Sequence, residues 1–225
     1  DVQWTKFYLQ SWERLSTAPF QPASAGSHQP PDSFVQMPPT QTNRIQRLRY
    51  LSAPLANDLL IAGPAVLNLF AEIDQADTNW IIILKDVGPD VSVQTARDGE
   101  REIPKGLAER EITRGWLKAS HRALDPERSL PWKPWHPLTR DAQAPVEPGV
   151  VTEYAIEILA TANLFRRGHR ICVEITSLDL PTGVGGATNV EYVPSHIGSS
   201  RTTLHRVHHD LERPSHLLLP VVPLD

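Results

Sequence analysis

Apolar residues in this chain recur at every second position, which is the spacing of a strand with one face in a core. Ile171, Val173 and Ile175 alternate with Arg170, Cys172, Glu174 and Thr176. Tyr154, Ile156, Ile158 and Ala160 share one face, opposite Glu153 and Glu157. Leu67, Leu69, Ala71 and Ile73 repeat the pattern, as do Phe7 and Leu9 near the start. Trp80-Ile81-Ile82-Ile83-Leu84 is apolar on both faces and rich in β-branched residues, so it predicts a central strand covered on both sides. Residues 45–50, 58–62, 91–95, 203–209 and 216–222 are further strand candidates.

The breaks between these runs are set by 21 prolines and 12 glycines. Gly63-Pro64 reads as a turn or bend, Gly88-Pro89-Asp90 as a turn, and Arg166-Arg167-Gly168 as a turn with Gly168 at positive φ. Residues 19–39 read as an extended surface loop. Residues 106–122 are mixed and admit a short helix. Residues 125–148, with Pro131-Trp132-Lys133-Pro134-Trp135-His136-Pro137, read as an ordered proline-rich loop, and residues 181–186 as a glycine-rich one. The fold expected is all-β: a two-sheet jelly-roll sandwich, with residues 1–225 forming one domain. The chain lacks an initiator Met and is already strand-like at Trp4, so it reads as a fragment of a longer polypeptide or a processed chain.

Several function classes are set aside at this stage. The formal net charge is −4 and Lys and Arg do not cluster, so no nucleic-acid partner is expected. No apolar run approaches the ~20 residues of a membrane span. Cys172 is the single cysteine, which precludes an internal disulfide and fits a reducing compartment, with the cytoplasm favoured.

The chemistry of a self-sufficient enzyme is hard to find. There is no G-x-S-x-G elbow, and Gly198-Ser199-Ser200 lacks the second glycine. On a strand, His205 and His209 share a face while His208 points away, and two imidazoles are too few for a catalytic zinc. No metal and no cofactor is expected. Cys172 reads as a buried core thiol. Trp132 and Trp135 could form a sugar platform, or could anchor their own loop to the sandwich.

Several strings, taken in order, resemble one family. Asp58-Leu59-Leu60-Ile61-Ala62-Gly63-Pro64 is followed by Asp77-Thr78-Asn79-Trp80 and Leu84-Lys85-Asp86-Val87. Then come Thr113-Arg114-Gly115-Trp116-Leu117-Lys118-Ala119-Ser120-His121-Arg122, Pro148-Gly149, residues 160–165 with Gly168-His169-Arg170-Ile171, and Pro214-Ser215-His216. Together they are similar to the C-terminal domain of X-Pro dipeptidyl-peptidase and cocaine-esterase-like acyl hydrolases. The resemblance implies a jelly roll with a galactose-binding-like fold and no catalytic residue of its own. It implies a partner in the same polypeptide, an α/β-hydrolase domain carrying the Ser-Asp-His triad. Association into a homo-oligomer is left open. By the same resemblance, Asn79 and Trp80 lie at the domain junction beside the acyl pocket, although Trp80 could equally be core. His121, Arg122, Gly168, His169 and Arg170 are expected to hold strand ends and turns. The competing expectation is an independent carbohydrate- or ligand-binding jelly-roll module.

Overall fold

The structure, a computed structural model, describes residues 1–22, 29–38, 41, 42, 44–95, 102–179 and 200–224. Its strands are β1 (Gln3–Gln10), β2 (Arg14–Ser16), β3 (Asp32–Gln36), β4 (Arg47–Ser52), β5 (Leu59–Ile73), β6 (Asn79–Thr95), β7 (Glu102–Lys118), β8 (Thr152–Phe165), β9 (Arg170–Thr176), β10 (Thr203–His208) and β11 (His216–Val222). One 3-10 turn, Ala119–His121, follows β7.

The strands form two antiparallel sheets that face each other. One runs β4-β9-β6-β7; the other is built around β5, which pairs with β8, β11 and β10. β1 and β3 extend that second sheet. Two thin seams join the sheets into a closed ring. At one, β2 pairs in parallel with β4 over two residues. At the other, β7 meets β8 at the single pair Gly115 and Ile158.

The alternation seen in the sequence sends one residue set into the space between the sheets. Trp80, Ile82 and Leu84 of β6, Ile171, Val173 and Ile175 of β9, and Tyr50 of β4 meet Leu67, Leu69 and Ile73 of β5 and Tyr154, Ile156 and Ile158 of β8. Burying an aliphatic side chain of this size contributes about 1.5–3 kcal/mol, so this face carries the stability of the sandwich. β6 is covered on its other face as well: Ile81 and Ile83 are 1% and 6% exposed and line a small recess with Leu178 and Thr176. On the same outer face Glu174 is 2% exposed and is held by Lys85 at 2.8 Å and Arg47 at 3.0 Å. A carboxylate so buried requires such partners, because an unpaired one would lose its hydration without compensation.

Four local expectations are corrected. Gly63-Pro64 does not turn the chain; β5 runs straight through it with a bulge against β8, Gly63 at φ 136° packing on Pro220. Gly88-Pro89-Asp90 is likewise a register irregularity inside β6. Residues 102–118 are strand, and only the one 3-10 turn beyond them is helical. Residues 19–39 include β3, which pairs with the distant β10. Residues 181–186 and Gly198-Ser199 lie outside the described residues.

Candidate functional site

The strand pair β6 and β7 begins and ends at one rim of the sandwich. Register places Asn79 opposite Lys118 and Trp80 opposite Leu117. Trp80 and Leu117 point inward, so Asn79, Lys118 and Trp116 point outward. The proline-rich loop lies across this outer face. Its His136 ring nitrogens sit 3.0 and 2.9 Å from the carbonyl oxygens of Ala123 and Ala155. Trp132 stacks on Trp4 at 5.2 Å, and the Trp135 backbone is tied to Asp125 and Ser129. Between strand and loop runs a groove of about 410 Å³, lined by Asn79, Trp116, Lys118, Trp135, Leu138 and Glu157 among others. Trp116 and Trp135 are each 38% exposed and Leu138 is 66% exposed, so the groove is an apolar recess open to solvent.

Trp80 lies behind this groove. Its ring is fully buried, 5.5 Å from Tyr154 and edge-on to His205 at 5.3 Å. His205 stacks flat on Phe34 at 4.4 Å, and its Nε2 lies 2.8 Å from the Thr78 hydroxyl. Burial lowers the His205 pKa to about 4, which keeps the imidazole neutral. Asn79 is 9% exposed and lines the groove.

The other singled-out residues sit at joints. Arg122 donates to the carbonyls of Ala144 (2.6 Å) and Ala119 (3.3 Å), fixing the end of the 3-10 turn. Gly168 has φ 83°, and its N–H donates to Leu55. His169 Nδ1 lies 2.7 Å from Asp86, and Arg170 donates to the Ser52 carbonyl at 2.8 Å. His121 lies in the 3-10 turn, its Nδ1 buried and without a partner among the described residues.

The same is true of the strings that carry the family resemblance. Asp77 accepts from both the N–H and the hydroxyl of Ser120, joining two of them. Asp86 and His169 join two more. Asp58 accepts from Arg166 and the N–H of Arg167, which hold its carboxyl below the usual range. Ser215 donates to the His208 carbonyl at 2.5 Å and accepts from the Phe70 N–H. A Cβ on Gly115 would lie 2.2 Å from the Glu157 carbonyl oxygen, so the β7–β8 seam closes only where a side chain is missing.

No catalytic constellation is assembled among the described residues. His205 faces the core, His209 reaches Asp32 at 3.0 Å, and no group of three or more His, Cys, Asp or Glu could hold a metal. Cys172 is buried, and burial pushes its thiol pKa up, away from a reactive thiolate. Trp132 and Trp135 are taken by different neighbours, the first by Trp4 and the second by Arg128, whose guanidinium sits 3.6 Å from its ring centre. Sequence reading missed Trp116, Leu138 and Glu157 of the groove. Trp116 had a usable signal: it is an aromatic residue on the outward parity of a strand whose inward residue is Leu117.

Ionisable groups of this all-β sandwich hold its joints, and an apolar recess opens at its rim. The chain matches the X-Pro dipeptidyl-peptidase C-terminal non-catalytic domain over residues 2–218, and it belongs to that family. Among curated relatives it is similar to a Mycobacterium bovis protein whose name places it with the serine esterases, 30% identical over 135 residues, 59% of this chain and 19% of that protein. It is also similar to the cocaine esterase of Rhodococcus sp. (strain MB1 Bresler), 35% identical over 82 residues, 34% of this chain and 14% of that protein. Among solved structures, a CocE/NonD family hydrolase from Staphylococcus aureus superposes with a TM-score of 0.68 at 19% identity, over 99% of this chain and 37% of that one. The matched region therefore spans about a fifth or less of these two curated relatives, and the last likeness bears on fold alone.

Proposed function

We propose that this domain packs on the α/β-hydrolase domain of a serine acyl hydrolase and supplies one wall of its substrate pocket. The observation that carries the reading is the groove at Asn79: an apolar recess with two half-exposed tryptophans, in a family whose members lack catalysis of their own. Pockets that must exclude water are commonly built at domain interfaces, where two surfaces each contribute a wall. Asn79, Trp116, Trp135 and Leu138 are the groove residues placed at this junction. Trp80 acts from behind, holding the β6 strand end that presents Asn79. Asn79 offers an amide to a polar atom of substrate or partner, while the indoles offer area.

The test compares two proteins. The Asp1–Asp225 chain is expected to release no p-nitrophenol from p-nitrophenyl esters and to take up no fluorophosphonate probe. The full-length polypeptide is expected to do both. In that polypeptide, Asn79→Ala is expected to change the ratio of kcat/KM between short and long acyl groups by about tenfold, the worth of one lost pocket contact. Turnover by Asp1–Asp225 alone, or an unchanged acyl ratio in a folded Asn79→Ala protein, would end the proposal.

A further inference from the structure

A second recess lies at the far end of β1 and does not depend on the junction. The β1–β2 hairpin is closed by Ser11, Trp12 and Glu13. Trp12 and Glu13 both have positive φ, 66° and 56°, a conformation normally left to glycine or asparagine. The Trp12 side chain is 90% exposed. The fold thus holds its most solvent-exposed indole in a backbone conformation that costs free energy, with little packing against it among the described residues. The Glu13 carbonyl accepts from the Leu51 N–H at 2.8 Å, which fixes the hairpin against β4. The two recesses share no lining residue, so this site is separate from the groove.

Beside Trp12 is a cleft of about 480 Å³ whose lining includes Glu13, Asp32, Ser33, Arg49 and Tyr50. Its polar groups are unevenly used. The Arg49 guanidinium is engaged by Glu109, Glu174 and the Cys172 sulfur. Asp32 uses one oxygen, Oδ2, for both the Tyr50 hydroxyl at 2.9 Å and His209 at 3.0 Å. Its Oδ1 and the Glu13 carboxylate have no hydrogen-bond partner among the described residues. Among the described residues the cleft therefore offers an open indole face and carboxylate oxygens without a donor, while its arginine is already engaged. The carboxylates can only accept, which suits a ligand rich in N–H donors; the Trp12 indole N–H and the Ser11 and Ser33 hydroxyls are the donors beside them.

We infer that the cleft beside Trp12 binds an organic cation, a guanidinium or alkylammonium group, with the charge over the indole face and its N–H groups on Asp32 and Glu13. An indole is the best aromatic partner for a cation, and a nearby carboxylate adds charge-assisted hydrogen bonds. The group can come from a small amine or from a basic side chain of a protein.

Calorimetric titration of the protein with arginine amide, tetramethylammonium and galactose tests the assignment. Saturable binding of both cations, weakened by salt, is expected, with no binding of galactose. Trp12→Gly is expected to weaken cation binding by about tenfold or more while raising the thermal midpoint, since glycine accepts the turn's φ without strain. Glu13→Gln is expected to weaken binding with the fold unchanged. Much tighter binding of an arginine-containing peptide than of arginine amide assigns the site to a protein side chain, and equal binding assigns it to a small amine. No saturable cation binding, equal binding of galactose, or unaltered affinity in both Trp12→Gly and Glu13→Gln overturns the inference.

Discussion

Two tryptophans mark the two kinds of region in this molecule. Trp80 is fully buried and contacts Tyr154 and His205; Trp12 is 90% exposed on a turn of positive φ. Around the first, the few polar groups, among them the Trp80 Nε1 and the His205 Nδ1, are sealed from solvent. Around the second, and around Trp116 and Trp135 at the groove, aromatic area stands open to solvent. The contrast separates residues that hold the sandwich together from residues left for something outside it. The family strings fall in the first class: Asp77 with Ser120, Asp86 with His169, and Gly115 against Glu157 are joints.

The separation makes graded predictions about stability. The largest effect is expected from Trp80→Ala, which removes a ring from a closed core and should cost about 3–5 kcal/mol in urea unfolding. Trp12→Ala should stay within about 0.5 kcal/mol on the same measurement. Equal costs for the two would erase the distinction drawn between interior and rim.

Next is the buried His205. Its pKa of about 4 lies below the ordinary 6.5, so the folded state binds fewer protons than the unfolded chain between those values. Its contribution is complete above pH 6.5 and is lost as pH falls through 4, amounting to about 3 kcal/mol. Stability measured from pH 7 to pH 4 should therefore fall. His205→Leu should flatten that window while leaving the Trp12 rim untouched. An identical pH profile in the variant would show that other groups carry the acid sensitivity.

Gly115→Ala should cost about 2 kcal/mol, because a Cβ 2.2 Å from a backbone carbonyl can be relieved only by opening the β7–β8 seam. Gly149→Ala is a comparison with open space around the Cβ: φ is 78° there, so its cost comes from backbone strain alone. A smaller loss at Gly115 than at Gly149 would mean that the seam gives way easily and that the sandwich is held by its core alone.

How much of this was legible in the sequence follows from the same physics. The alternation of β8, β9 and β5 and the two-sided burial of β6 were readable, because a strand between two layers must repeat every two residues. The joints were visible only as strings without partners, since Asp86 and His169 are 83 positions apart and local pattern says nothing of who meets whom. Gly63-Pro64 misled because a bulge and a turn use the same residues, and only pairing with β8 distinguishes them. β3 was hidden because its strand character comes from β10, far along the chain. Trp12 was missed for the opposite reason: the sequence argues against an aromatic residue at positive φ, and the fold imposes it. The groove was half legible, with Asn79 found through resemblance and Trp116 overlooked.

The smallest stability effect, and the sharpest test of the rim, is Trp135→Ala. The ring is 38% exposed, stacked under Arg128 and held to its loop by backbone bonds rather than by the indole. Losing it from the Asp1–Asp225 chain should change the unfolding free energy by less than about 0.5 kcal/mol, because a partly exposed ring forfeits little burial and an exposed cation–π contact is weak. If the groove is the junction, the same substitution should cost more in the full-length polypeptide, because the ring would bury its remaining area against the catalytic domain. The informative quantity is the difference between the two costs, read from paired denaturation curves. A difference of ~1 kcal/mol or more, accompanied by altered acyl selectivity, follows if the groove is the junction. Equal costs in the two proteins, with selectivity unchanged, would return Trp135 to the role of a loop anchor, and the domain junction would have to lie on another face.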